Sequence, residues 1–164
     1  MKFIFHLKFK EKYGGFGIVE LLIVIGIIGL ALAGMVGFGN YALKVNSQIK
    51  HRVAAVYLAE EAIEAASIVK DEDWSLLTAL NSGSPYHPAI NSGKWVLAAG
   101  AENINNYSRQ IILEDVYRDA ADNIVSSGGS NDPGSRKITA TVSWTNQGQN
   151  YQMELVSYLT DWQP

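Results

Sequence analysis

The sequence predicts an α+β protein in which one long N-terminal helix, membrane-spanning in its first half, packs against a small antiparallel sheet of three to four strands. An apolar run over residues 16–38 is long enough to cross a membrane. Apolar residues then recur every three or four positions over residues 49–66, and residues 138–155 alternate between apolar and polar. We therefore expect a leader at 1–15, a transmembrane helix at 16–38, its amphipathic continuation at 39–74 and a globular part at 75–164.

Composition argues against several classes of function. The formal net charge is −3, so there is no basic excess that would indicate a nucleic-acid partner. The chain has no cysteine, which excludes disulfides and thiolate chemistry. His6, His51 and His87 show no metal-ligand spacing, and no nucleotide loop, nucleophile elbow or pair of catalytic carboxylates is recognisable. We expect neither an enzyme nor a cofactor.

The apolar run at 16–38 would span about 35 Å as a helix, against about 30 Å for a hydrocarbon core. Four lysines within residues 2–12 precede it, so the positive-inside rule places the leader in the cytoplasm and the C-terminal part across the membrane. Glu20 interrupts the run. A carboxylate costs roughly 2.5–3.5 kcal/mol at mid-bilayer and less near an end of the run, so its presence calls for a functional reason.

Three interpretations of this run are open. Ala31-Leu32-Ala33 before Gly34 has the form of an ordinary signal-peptidase site, and cleavage there would release a secreted binding domain. A plain single-pass anchor explains the length and orientation but leaves Glu20 unexplained.

The third interpretation is based on Gly15-Phe16-Gly17-Ile18-Val19-Glu20 and the apolar residues that follow. This stretch resembles the N-terminal signal of type IV pilins and pseudopilins, in which glycine precedes the cut, phenylalanine becomes the new N-terminus and glutamate is the fifth residue after the cut. The resemblance implies that a prepilin peptidase/methyltransferase cleaves between Gly15 and Phe16, removes residues 1–15 and methylates the Phe16 amine. Gly17 differs from the hydroxyl residue that many members carry there.

The resemblance also implies a function and a location. The chain would be a major or minor subunit of a type IV pilus or related filament, held in the inner membrane before assembly and extracellular afterwards. Its partners would be membrane lipid, an inner-membrane assembly platform and other pilin subunits. The Glu20 carboxylate would pair with the Phe16 amine of a neighbouring subunit and set the axial register. A pseudopilin of a type II secretion or DNA-uptake machine is the alternative within the family.

Beyond the membrane run we expect the same helix to continue to about Lys70, with one apolar face against the sheet. The residues that define this face are Ile49, Val53, Val56, Ala59, Ile63 and Ala66. Glu60-Glu61, followed by Lys70-Asp71 and Trp74, resembles the minor pilins of the type IV pilus modification group. The end of the chain, from Thr145 to Trp162, resembles the C-terminal hairpin of the same group.

The remaining residues predict two loops and a few strands. Glycines and prolines within 81–94 and within 119–136 indicate loops. Strands are expected at 95–98 and 107–117, and a hairpin at 138–155 turns at residues 146–149. Asp119, Asp122 and Asp132 lack the regular spacing of a calcium loop, so a solvated turn is the preferred interpretation of that segment.

Overall fold

The computed structural model describes residue 15 and residues 17–162. It confirms the α+β class, with one long N-terminal helix, α1 (Ile18–Glu72), packed against an antiparallel sheet. The chain divides into two compact units, Met1–Val45 and Asn46–Pro164. Each unit is described by itself.

In the first unit, α1 is exposed on every side. Every residue from 18 to 44 is exposed, including Ile18 at 81%, Leu30 at 77% and Phe38 at 74%. By length and composition α1 could cross a membrane, and its apolar window has no buried residue.

The second unit combines the rest of α1, the short α2 (Trp74–Thr78) and a seven-stranded sheet, which has more strands than the three to four predicted. The pairings are antiparallel, in the order β2-β1-β4-β6-β7, and β3 and β5 also pair with β4. The strands are β1 (Pro85–Asn91), β2 (Lys94–Ala99), β3 (Glu102–Ile104), β4 (Tyr107–Arg118), β5 (Ile124–Val125), β6 (Ser130–Asn146) and β7 (Gln149–Thr160).

The predicted C-terminal hairpin is confirmed as β6 and β7. Asn146 pairs with Gln149 across a two-residue turn. The turn residues Gln147 and Gly148 have φ of 51° and 74°, the left-handed conformation that tight hairpin turns require. Glycine adopts it without strain, which explains why the chain reverses here.

The predicted loop at 81–94 is wrong, because Pro85–Asn91 forms β1 and pairs with β2. The prolines that suggested a loop are accommodated. Pro88 pairs with Leu97 of β2, while the pairing of β1 with β4 is limited to Pro85 and Tyr86. A proline that lacks a partner strand on one side leaves no ladder hydrogen bond unmade there. The second loop, predicted at 119–136, is also interrupted, because β5 and the start of β6 lie within that range.

The helix face that contacts the sheet is made mostly of alanine. Ala55, Ala59, Ala62 and Ala66 are fully buried at alternating steps of four and three. Of the expected stripe, Ala59 and Ala66 are confirmed, but Ile49 and Val53 are 56% and 46% exposed, so their placement on that face is wrong.

Large side chains on the sheet explain the preference for alanine. The inner face of the sheet already presents the fully or nearly fully buried Ile111, Leu113, Ile138 and Val142. Interiors are close-packed, so bulky sheet residues are matched by small residues on the helix.

This packing predicts the effect of a larger side chain in the contact. Ala59→Leu should lower the free energy of unfolding by about 1–3 kcal/mol, because the added atoms have no space between α1 and the sheet. Val53→Leu, at a 46% exposed position of the same helix, is the control and should change little. Thermal unfolding followed by tryptophan circular dichroism measures both, and equal stability of the two variants would contradict the close contact.

Candidate functional site: the N-terminal helix

The structure describes part of the predicted processing signal. Gly15 is exposed and lies outside any helix or strand, and α1 begins three residues later. Phe16 lies outside the described residues. A Cβ added at Gly15 or at Gly17 would meet nothing within 4 Å. Neither glycine is therefore needed to avoid a clash with the residues that the structure describes.

Glu20 lies in the first turn of α1 and is exposed. An acid there interacts favourably with the partial positive charge of a helix N-terminus. Its neighbours Val19 and Leu21 are 70% and 55% exposed. Within residues 17–162, no basic side chain forms an ion pair with Glu20.

The helix around Glu20 presents apolar side chains in all directions. From Leu21 to Gly39 the chain carries no charged or hydrogen-bonding side chain. A helix that is apolar all round is stable in lipid or among other helices, and it is poorly suited to water. Gly26, Gly29, Gly34 and Gly37 leave open space on this surface, which allows neighbouring helices to approach closely.

In the second unit, a buried arginine joins α1 to the sheet. Arg109 of β4 is 3% exposed. Its Nη1 donates to Leu58 O at 2.9 Å and to Glu61 Oε2 at 3.0 Å, and its Nε donates to Glu102 Oε1 at 2.8 Å. Sequence reasoning missed this contact, although Glu61 itself lies on the exposed surface of α1. The available signal was an arginine at an inward position of an alternating strand.

An aromatic cluster connects the first turns of α1 in this unit to three strands. Trp144 stacks on Tyr151 with ring centroids 5.7 Å apart, and Tyr107 lies 6.0 Å from Trp144. His51 Nδ1 is 2.7 Å from the Tyr107 hydroxyl, and Gln48 Nε2 donates to the Tyr151 hydroxyl at 3.0 Å. Burial raises the pKa of the Tyr107 hydroxyl above its ordinary value.

The acidic segment after β4 is held by its own hydrogen bonds. Asn123 donates to Asp119 and lowers the pKa of that carboxyl. Arg118 Nε donates to Asp132 Oδ2 at 2.7 Å, which lowers the pKa of Asp132. Among the described residues, no group of three or more His, Cys, Asp or Glu side chains is arranged to hold a metal ion.

No family model, curated protein or solved structure matches this chain.

The Arg118–Asp132 pair predicts a dependence of stability on pH. The pKa of Asp132 in the folded protein lies below its usual 3.8, so this carboxylate stabilises the fold above that pH and loses its contribution as the pH falls through the lowered pKa. Asp132→Asn should lower the thermal midpoint at pH 7, and its difference from the wild type should shrink below pH 3.8.

Asp122→Asn is the matched control, because that carboxylate is 3.7 Å from Arg118 and 86% exposed. It should leave the midpoint nearly unchanged at both pH values. A constant difference between Asp132→Asn and the wild type at all pH values would exclude this source of stability.

Proposed function

We propose that this chain is a structural subunit, a major or minor pilin, of a type IV pilus or related filament. Its N-terminal helix would anchor it in the inner membrane before assembly and would lie in the filament core afterwards. The observation that carries the proposal is the first half of α1, which is apolar and exposed on all sides and holds a single carboxylate in its first turn.

The membrane and the filament core both require an apolar helix surface. In lipid and in a bundle of apolar helices, side chains contact hydrocarbon, so a helix without a polar face suits both. An anchor that stayed in lipid would gain nothing from Glu20, whose charge is costly there. In a bundle, the same carboxylate can pair with the amine that cleavage before Phe16 would create on a neighbouring subunit.

Processing at Gly15 starts this sequence of events in the proposal. A prepilin peptidase/methyltransferase would cleave after Gly15, and an inner-membrane assembly platform would then add the mature subunit to the filament. The globular unit would face away from the cytoplasm, as the basic leader indicates.

The first prediction of the proposal concerns cleavage. Gly15→Val should block removal of residues 1–15, because a branched side chain would stand directly beside the bond that the peptidase cuts. A Cβ at this position meets nothing within 4 Å, so loss of cleavage would not reflect a clash within the chain. Intact-mass measurement of the membrane-extracted protein reports the mature N-terminus.

Gly17→Val is the matched control, since Gly17 also has open space around it and lies on the other side of the cut. It should be processed. A wild-type protein that begins at Gly34 would instead indicate ordinary signal peptidase, and an intact Met1 would indicate an unprocessed anchor. Either result would contradict the proposal.

The second prediction concerns assembly. Glu20→Leu should insert into the membrane normally, because it removes a charge from an apolar helix. Breaking one side of a buried ion pair costs about 3–5 kcal/mol, so incorporation beside wild-type subunits should fall about tenfold or more. Carbonate extraction measures insertion, and quantitative mass spectrometry of sheared filaments measures incorporation.

Val19→Leu, on the neighbouring and similarly exposed position, is the control and should be incorporated like the wild type. If Glu20→Leu entered filaments in undiminished amounts, the carboxylate would have no role in assembly.

A further inference from the structure

A polar cavity of about 630 Å³ lies at the end of the sheet where β3 meets β4 and β6 turns into β7. We call it the amide trough. None of its described lining residues carries a charged side chain. Its polar side chains include those of Asn103, Ser108, Ser143, Thr145, Asn150 and Gln152.

Strand register explains the shape of the amide trough. Asn103 of β3 pairs with Ser108 of β4, Ser108 pairs with Ser143 of β6, and Ser143 pairs with Gln152 of β7. Paired residues share one face of a sheet. The buried residues Arg109 and Val142 alternate with the two serines, so this row lies on the face turned away from α1. Two short hydroxyl side chains form the middle, and longer amides stand at both ends.

The side chains of the trough retain capacity for a ligand. Among the described residues, Asn103, Ser108 and Ser143 make no side-chain hydrogen bond to protein. Thr145 Oγ1 donates to Asn150 Oδ1 at 2.8 Å, which leaves the Asn150 amide nitrogen as a donor. Gln152 Nε2 donates to Glu154 at 2.6 Å, which leaves the Gln152 oxygen as an acceptor. Hydroxyls and amides together both donate and accept.

The opposite side of the same strands is packed against α1. Tyr107, Trp144 and Tyr151, which also line the cavity, form the aromatic cluster that His51 and Gln48 contact from α1. Each is a direct neighbour of a serine or of Gln152 in its strand. The backbone that carries the row of polar side chains is therefore supported from the α1 side.

The chemistry of the trough selects one class of ligand. Charged ligands bind most strongly to charged partners and apolar ligands to apolar linings, and the side chains of this row supply neither. A peptide that adds to a sheet pairs with the open backbone of an edge strand. At this row the edge strands are β3 and β7, whereas Ser108 and Ser143 lie on β4 and β6, whose backbone is paired on both sides, so an added strand would not cover the two serines. Side chains that donate and accept at several points match the hydroxyl groups of an uncharged sugar.

We propose that the amide trough binds a neutral saccharide. This role goes beyond filament assembly and does not depend on cleavage at Gly15, so either proposal can fail without the other.

The test uses the full chain in a zwitterionic detergent, since detergents with sugar headgroups would compete for the site. The probes are immobilised neutral hexose and N-acetylhexosamine oligosaccharides, with sialylated and sulfated oligosaccharides beside them. Ser143→Tyr fills the middle of the trough and should weaken neutral saccharide binding about tenfold or more. Thr139→Tyr is the matched control, because it is half-buried on the same face of β6 and lies outside the trough, and it should bind within about twofold of the wild type.

A second variant keeps the test decisive if Ser143→Tyr disturbs the fold. Asn103→Asp preserves size at an exposed position, removes a donor and adds a charge, and it should also weaken binding about tenfold. Four results would overturn the proposal: no neutral saccharide binding at about 10 mM, binding of acidic saccharides only, equal losses in Ser143→Tyr and Thr139→Tyr, or self-association through the trough without saccharide binding.

Discussion

The close contact between the alanine face of α1 and the sheet is the constraint on which the second unit depends. With Ala59 and Ala62 at the contact, the sheet buries its own large residues against the helix backbone. Two larger apolar residues of this part of α1, Val53 and Tyr57, are exposed instead. The same packing that stabilises the unit therefore leaves apolar side chains on the opposite helix face, where a filament subunit would need contacts with its neighbours.

Hydrophobic contact alone would not determine where the helix sits along the sheet, because alanines are alike. Arg109 supplies a directional contact in that interface. Its guanidinium is buried, so it requires partners, and it finds them on α1 at Leu58 O and Glu61 and on β3 at Glu102. Shifting the helix by one turn would remove Leu58 O and Glu61 as partners of this buried guanidinium and leave only Glu102 of β3 to pair with it, which would destabilise the shifted arrangement. The arginine thus favours one register of α1 over its alternatives.

The sequence predicts those parts of the fold in which apolar residues repeat at regular intervals. The long helix and the β6–β7 hairpin follow from apolar residues that repeat every 3.6 and every 2 residues. The strand β1 is predicted as a loop because prolines such as Pro85 and Pro88 are typical of turns. The buried helix face was assigned only in part: Ala59 and Ala66 lie on it, whereas Ile49 and Val53 do not, because small residues match the large side chains of the sheet there. The proposed processing signal consists of adjacent residues, whereas the amide trough is assembled by the register of four strands and cannot be recognised before their pairing is known.

The two proposals reinforce each other through valency. The hydroxyls and amides of the trough are uncharged and open to solvent, so water competes for each hydrogen bond with a ligand. A single trough should therefore bind a saccharide weakly. A filament built through the N-terminal helix would repeat the outer face of the sheet along its length. Repetition converts later contacts with a glycan-coated surface into intramolecular events, and avidity can exceed the affinity of one site by about 10²–10⁴. Assembly through the apolar helix would in this way allow many weak saccharide contacts, one from each sheet, to add up to strong attachment.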